Sequence, residues 1–250
     1  MKFQLVCRKF QLVCTPIPER CDWSVQTYWS EGVHIWSQAN MNTRVFQETN
    51  ITKRIYTPES SEYRVVATEA PIAHSGGVAV FYRAADHFSV EALHTYGANV
   101  LCFLLELSNR QWFIVGCYLA PDYYLTIEDV IAAISKRPRG RALMVTSNFN
   151  ADLAAPESWE QDKGIASALA EEGIEYMSGY FLSRNTPWLK DGCTWAMHRG
   201  VHEVHSQTYH ILSTDSYLLQ NVVVQGTRHN TDHYLVLGCL LGAAPAAHLR

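Results

Sequence analysis

The sequence predicts an α/β fold in which two β-sheets pack together and are covered by helices. Runs rich in β-branched and aromatic residues, bounded by turn residues, predict strands at 76–83, 100–107 and 111–119. Helical spacing of apolar residues predicts helices at 125–137 and 164–177, on either side of a strand at 141–150. Such a succession of strands and helices is typical of layered α/β domains.

The helix predicted at 125–137 has one apolar face, formed by Ile127, Val130, Ile131 and Ile134. Thr126 and Asp129 have the spacing of a capping box at its start. After the second helix, three more strands are predicted near TYHIL, LLQNVVVQ and DHYLVLGCL. These elements complete the two sheets.

The chain divides into a main domain and two flanking segments. Residues 45–240 contain no linker rich in Pro, Gly or Ser, which predicts one domain. Before it, KFQLVCR at 2–8 is repeated as KFQLVCT at 9–15, and a seven-residue tandem is too short for a solenoid unit of about 20–50 residues. We therefore expect 1–44 to be an atypical segment, poorly ordered or rebuilt, and 241–250 to be a tail.

The composition excludes several classes of protein. With 48% hydrophobic and 18% charged residues, the 250-residue chain can bury a sizeable core. No apolar run approaches the roughly 20 residues that span a bilayer, which predicts an intracellular protein, nuclear or cytoplasmic, with no membrane partner. The net charge of −4 argues against binding through bulk affinity for phosphate. The seven cysteines form no C-x-x-C pair and are predicted to be buried, reduced thiols, as for Cys102, Cys117 and Cys239 in apolar runs.

Four polar stretches end or flank the predicted strands: QETN (47–50), GCYLAPD (116–122), SNFNADL (147–153) and NTDHYLV (230–236). Glu48 and Asp232 are oxygen ligands of the kind that Mg²⁺ prefers. His233 is suited to accept a proton or to bind phosphate. Tyr118 and Asn150 are neutral donors able to hold phosphate oxygens. Each stretch alone is more often a solvated loop or a turn, so their order carries the prediction.

The succession Q-E-T, G-G-V-A-V, C-Y followed by Pro, F-N and D-H resembles the endonuclease/exonuclease/phosphatase superfamily. Within it, the sequence is most similar to the endonuclease domain of LINE-type (non-LTR) retrotransposons, which resembles apurinic/apyrimidinic endonucleases. The resemblance covers 45–240. It implies a four-layer α/β sandwich with two central mixed sheets covered by helices. It also implies Mg²⁺-dependent nicking of DNA, with DNA as the partner and no obligate protein partner.

The resemblance also implies a role for each site residue. Glu48 and Asp232 would bind the metal, and Tyr118 would contact the phosphate. Asn150 would orient the phosphate. Asp232 and His233 would form a carboxylate–imidazole pair, in which His233 stabilises the pentavalent phosphorus or activates water.

Two positions depart from the family pattern. The family has G-D-F-N where this chain has Ser147-Asn148-Phe149-Asn150, and an aspartate where it has Tyr209. An amide cannot accept a proton at neutral pH and binds Mg²⁺ more weakly than a carboxylate. Losing one proton-transfer group costs about 10²–10⁴ in rate. We therefore predict a weak or inactive copy with weakened Mg²⁺ binding.

Three alternatives stay open. The same fold could serve as a non-catalytic module that binds nucleic acid or protein, or as a small-molecule phosphatase. A zinc site could also form from the histidines of HRGVHEVHSQTYH, namely His198, His202, His205 and His210. The interval from His198 to His202 suits a helix, but Gly200 and the β-branched Val201 and Val204 argue against one, and in a strand His202 and His205 would face opposite sides. The loop aromatics that could stack on bases are Tyr123, Tyr124 and Trp188.

Overall fold

The computed structural model describes residues 10–15, 43–47, 63–68, 77–83, 88–107, 110–119, 127–153, 160–176, 193–214, 219–224 and 236–240. Its strands are β1 Phe10–Thr15, β2 Thr43–Gln47, β3 Tyr63–Ala67, β4 Val78–Arg83, β5 Phe88–Tyr96, β6 Val100–Leu107, β7 Arg110–Tyr118, β8 Ala142–Asn148, β9 Glu175–Tyr176, β10 Trp195–Arg199, β11 His202–Ser206, β12 Tyr209–Ser213, β13 Leu219–Val224 and β14 Val236–Leu240. Its helices are α1 Ile127–Ile134 and α2 Glu160–Glu171. Neither helix is long and apolar enough to cross a membrane.

Twelve of the strands form two six-stranded sheets. The first sheet has the order β13-β14-β1-β2-β4-β3, and the second has the order β5-β6-β7-β8-β12-β9. Each sheet has a parallel pair at its centre, β1 with β2 and β7 with β8, and every other pairing is antiparallel. The prediction of an α/β fold with two mixed sheets is therefore confirmed.

The two sheets pack face to face, with β7 of the second sheet against β2 and β4 of the first. Gly116 in β7 lies at this contact. A Cβ atom at this position would lie 2.9 Å from Cγ1 of Val45 and 3.0 Å from Cγ1 of Val78. The side chains of β7 that share the face of Gly116 therefore point toward the first sheet.

The opposite face of the second sheet packs against α1 and α2. Alternate residues of β7 and β8, such as Phe113, Val115, Leu143 and Val145, form a buried core with both helices. The apolar face predicted for α1 is confirmed, because Val130 and Ile134 are buried and the other two residues of that face pack against the same core. Helix, sheet and sheet are thus three layers of the predicted sandwich.

The helix predicted at 164–177 begins earlier and ends earlier than expected. Helix α2 spans Glu160–Glu171, and residues 175–176 form the short strand β9. Gly173 explains the end of the helix, because it adopts a φ of 67° that favours glycine. The N–H of Gly173 donates to the carbonyl of Ala170, and the N–H of Ile174 donates to the carbonyl of Leu169. This pattern is typical of helix C-termini.

The second copy of the N-terminal repeat forms β1, which lies between β14 and β2 inside the first sheet. The first copy lies outside the described residues. Among the predicted buried thiols, Cys102 and Cys117 are confirmed as buried and outside any disulfide, and Cys193 shares this state. The side chain of Cys239 is not among those described.

Candidate functional site

Three of the predicted site residues lie in one row across the second sheet. Tyr118 of β7 pairs with Asn148 of β8, and Asn148 pairs with Tyr209 of β12. Directly paired residues point to the same face of a sheet. Because Tyr118 follows Gly116 by two residues, this row faces the first sheet. All three side chains are buried, and Asn148 and Tyr209 are fully so.

The turn after β8 fixes the amide of Asn148. The Asn148 Oδ1 accepts a hydrogen bond of 3.1 Å from the backbone N–H of Asn150. Asn150 has a φ of 49°, a left-handed conformation that asparagine tolerates better than most residues. Its Nδ2 donates to the carbonyl of Leu119 at 2.8 Å, which ties the turn to the end of β7. The Nδ2 of Asn148 has no hydrogen-bond partner among the described residues, although it is buried.

This row carries no negative charge, since it consists of two phenols and an amide. The one oxygen of Asn148 already accepts an N–H, so it is poorly suited to bind Mg²⁺, for which carboxylate oxygens are preferred. Across the described part of the chain, no three side chains of His, Cys, Asp or Glu gather as a metal site would require. Glu48, Asp232 and His233 lie outside the described residues, as do the aromatics Tyr123, Tyr124 and Trp188.

Thr194 positions the strand that carries Tyr209, and the sequence prediction missed it. Its Oγ1 accepts hydrogen bonds from the backbone N–H groups of Thr208 at 2.8 Å and of Tyr209 at 2.9 Å. All three residues are buried. In the sequence, Thr194 at the start of TWAMHR gives no signal, because its partners are 14 and 15 residues away.

Asn99 was also missed, and it joins the two sheets beside Tyr118. Its Oδ1 accepts from the N–H of Gly77, just before β4, at 2.9 Å, and its carbonyl accepts from the N–H of Tyr118 at 2.9 Å. The hydroxyl of Thr68, after β3, donates to the carbonyl of Ala98 in the same turn. Sequence alone marks Gly-Ala-Asn as a turn but not as a link between sheets.

A buried histidine lies on the other face of β12, behind the row. His210 stacks on Phe149 with ring centroids 5.7 Å apart, and its Nε2 lies 2.8 Å from the carbonyl oxygen of Ala151. Burial lowers the pKa of His210 to about 4, so the ring is neutral at neutral pH and donates from Nε2. Asp152, which follows Ala151, makes a second link to the segment before β12, because its Oδ2 accepts a hydrogen bond of 3.1 Å from the backbone N–H of Gln207.

The four histidines of the zinc alternative occupy different environments. His202 and His205 are exposed on β11, whereas His210 is buried in β12 with its Nε2 on a backbone carbonyl. The residue His198 lies in β10 opposite Glu203, and its side chain is not among those described. The described side chains therefore do not converge on one point.

Comparison with known proteins identifies the fold. No family model matches the sequence, and no curated protein sequence matches it at a significant level. Among solved structures, the endonuclease domain of TRAS1, a telomere-specific non-LTR retrotransposon, is similar with a TM-score of 0.70 and 15% identity, over 92% of this chain and 98% of that chain.

Two further structures extend the comparison. The AP endonuclease LMAP from Leishmania major is similar with a TM-score of 0.69 and 8% identity, over 94% of this chain and 88% of that chain. An endonuclease/exonuclease/phosphatase family protein from Leptotrichia buccalis C-1013-b is similar with a TM-score of 0.65 and 9% identity, over 92% and 99% of the two chains. The chain therefore has the fold of the endonuclease/exonuclease/phosphatase superfamily, as the resemblance of its motifs predicted.

Proposed function

We propose that this chain is a DNA-directed phosphodiesterase domain of the retrotransposon endonuclease type, in which Mg²⁺-dependent cleavage is impaired. The observation that carries the proposal is the row of Tyr118, Asn148 and Tyr209. These residues occupy adjacent positions on three strands, and none of them bears a charge. The resemblance places aspartates at two of these positions.

In this proposal the remaining functions are divided among the other motif residues. Glu48 and Asp232 would hold Mg²⁺, and the bound ion would supply positive charge next to the phosphate. Tyr118 donates its hydroxyl to a phosphate oxygen. Asn150 uses one hydrogen of its Nδ2 for the carbonyl of Leu119 and keeps the other for the phosphate. His233, held by Asp232, accepts the proton of the attacking water.

The impairment follows from the chemistry of the two replaced positions. Asn148 keeps the shape of an aspartate and its hydrogen bond to the N–H of Asn150, but it cannot take up a proton or supply charge. Tyr209 fills its position with a large neutral side chain that is fully buried. One lost proton-transfer group costs about 10²–10⁴ in rate. Losses within one site need not add.

The test is nicking of supercoiled plasmid with Mg²⁺ by the natural chain and by Asn148→Asp. This variant is nearly isosteric and keeps an oxygen for the N–H of Asn150, but it introduces a buried carboxylate, so its fold is checked by thermal unfolding before its activity is interpreted. We expect little nicking by the natural chain and an increase of at least about tenfold, the low end of such effects, in the variant. Glu48→Ala, added to Asn148→Asp, should return nicking to background and so exclude a contaminating nuclease.

The double variant Asn148→Asp/Tyr209→Asp should nick fastest if it folds. Because Tyr209→Asp removes a fully buried ring, its fold is checked by thermal unfolding before its activity is interpreted. Strong nicking by the natural chain, abolished by Glu48→Ala, would show a working nuclease and refute the impairment. If folded revertants neither nick plasmid nor hydrolyse an abasic-site duplex, the proposed activity is wrong.

Binding separates an impaired nuclease from a vestigial fold. Fluorescence anisotropy with a labelled duplex at low salt measures DNA affinity without cleavage. Binding that weakens in the Tyr118→Phe and Asn150→Ala variants would support phosphate contacts by these residues. If the chain does not bind DNA and the revertants are inactive, the chain is a vestigial copy that keeps the fold without the function.

A further inference from the structure

A cysteine, a histidine and a glutamate form a chain of contacts outside the row described above. Sγ of Cys193 lies 3.3 Å from Nδ1 of His205, and Nε2 of the same ring lies 3.4 Å from Oε2 of Glu203. Cys193 is buried directly before β10, whereas His205 and Glu203 are on β11 and reach solvent. The pairing of β10 with β11 brings the three residues together.

The two partners bind opposite nitrogens of the imidazole ring. The imidazole ring lies between the thiol and the carboxylate, so Cys193 and Glu203 contact opposite edges of the ring and do not converge on one metal ion. The same geometry suits proton transfer, in which a nucleophile contacts a base and a third group orients that base. The order is thiol, imidazole, carboxylate.

We propose that Cys193 is a nucleophilic thiol activated by His205 and Glu203, and that it is a modification site for small soft electrophiles. The thiol proton passes to Nδ1 of His205, while the Nε2–H of the resulting imidazolium is held by the Glu203 carboxylate. The thiolate then attacks the electrophilic carbon. With iodoacetamide, the S–C bond forms, the C–I bond breaks and iodide leaves with the electron pair.

Two other buried cysteines provide an internal reference. Cys102 and Cys117 are buried in β6 and β7 among apolar side chains of the core. Burial raises the pKa of the Cys102 thiol to about 12, because the thiolate loses its hydration there. Apolar burial that raises the pKa, as at Cys102, makes a thiol inert, whereas a thiol beside an imidazole is reactive.

The test is site-resolved alkylation of the folded protein by iodoacetamide near pH 6.5, followed by mass spectrometry of the peptides. An unperturbed thiol, with a pKa of about 8.5, is about 1% thiolate at that pH. Complete proton transfer would raise this fraction about 100-fold, and the lower nucleophilicity of a stabilised thiolate reduces the gain to about tenfold. We expect Cys193 to react at least about tenfold faster than Cys102 and Cys117.

Two variants distinguish activation from simple exposure. His205→Ala removes the ring that contacts Cys193, so an effect of exposure alone would speed alkylation, whereas loss of the base should slow it about tenfold. Added imidazole should restore part of the rate in His205→Ala. Glu203→Gln should slow alkylation of Cys193 less than His205→Ala does, because the base is still present. The matched control His202→Ala removes another exposed histidine of β11 and should leave the rate unchanged.

In denaturant, where the chain is unfolded, Cys102, Cys117 and Cys193 must be alkylated at equal rates. This control checks that their peptides are detected equally. The proposal is overturned if Cys193 reacts no faster than Cys102 in the folded chain. It is also overturned if His205→Ala, with an unfolding midpoint close to that of the natural chain, speeds alkylation or leaves it unchanged. If His205→Ala unfolds, His205→Gln provides the same comparison with a side chain closer in size.

Discussion

Gly116 allows the two sheets to approach each other, and its replacement by alanine tests how tightly they pack. A Cβ atom at this position would lie 2.9 Å from Cγ1 of Val45 and 3.0 Å from Cγ1 of Val78. Both distances are shorter than the 3.4 Å at which ordinary van der Waals contact begins. Val45 and Val78 are fully buried on separate strands of the first sheet, so neither can move into open space.

Overpacking of this kind costs about 1–3 kcal/mol. In a chain of this size, each kcal/mol lowers the unfolding midpoint by about 2–4 °C, so Gly116→Ala should lower Tm by about 2–12 °C. Differential scanning calorimetry and urea unfolding measure the change. The matched control is Gly164→Ala in α2, where a Cβ atom meets nothing within 4 Å. It should be neutral or stabilise the helix by up to about 1 kcal/mol.

A double-mutant cycle isolates the contact. In the Val45→Ala background one of the two close methyl groups is absent, so Gly116→Ala should cost at least about 0.5 kcal/mol less than in the natural chain. If Gly116→Ala leaves Tm unchanged, or if the cycle shows no coupling, the proposed close approach of the sheets at Gly116 is wrong.

Three further predictions concern the site. Thr194→Val removes the acceptor of two buried N–H groups and should destabilise the chain by about 2–5 kcal/mol, whereas Thr194→Ser keeps the oxygen and should cost far less; urea unfolding measures both. The pKa of His210 falls from 6.5 to about 4 on folding, so the unfolded chain takes up a proton on this ring at a higher pH than the folded chain does. The free energy of unfolding is therefore unaffected by this group above pH 6.5 and decreases as the pH falls toward 4, by about 3 kcal/mol in all. Unfolding at both ends of this window should show a smaller difference in His210→Gln, and an equal difference would contradict the assignment. Mg²⁺ at ten times its Kd should raise the Tm of Asn148→Asp by about 3–6 °C and that of the natural chain by less, and equal shifts in thermal scans would show that position 148 does not affect metal binding.

The strands and the apolar face of α1 could be predicted because their patterns are local. VLCFLLEL is a strand over the whole predicted range, since a short apolar run that is interrupted only by Glu106 and bounded by turn residues leaves few alternatives. The end of α2 was missed because helical spacing continues past Glu171, whereas the left-handed conformation of Gly173 ends the helix. Glycine inside a periodic segment signals a terminus only weakly.

Residues of the candidate site could be singled out from the sequence to the extent that they belong to motifs. Tyr118, Asn148 and Tyr209 were identified separately, and the register of β7, β8 and β12 places them in one row. Thr194 and Asn99 were not predictable, because their hydrogen bonds join residues that are far apart in the sequence. The contact between Cys193 and His205 depends on the pairing of β10 with β11, which no local pattern in HRGVHEVH indicated.

The position of β1 has a consequence for the order in which the chain folds. β1 pairs with β14, and Phe10 lies opposite Leu240. Only β14 joins β1 to β13, so the first sheet stays incomplete until one of the last described strands arrives. Pairings between residues so far apart slow folding, because loop closure costs entropy before the contact stabilises the chain. On the ribosome, the second sheet is complete in sequence once β12 has been synthesised, whereas β1 must wait for β14. Until then the edge of β1 that later pairs with β14 presents unpaired backbone groups, which exposes nascent chains stalled before Val236 to strand-edge aggregation.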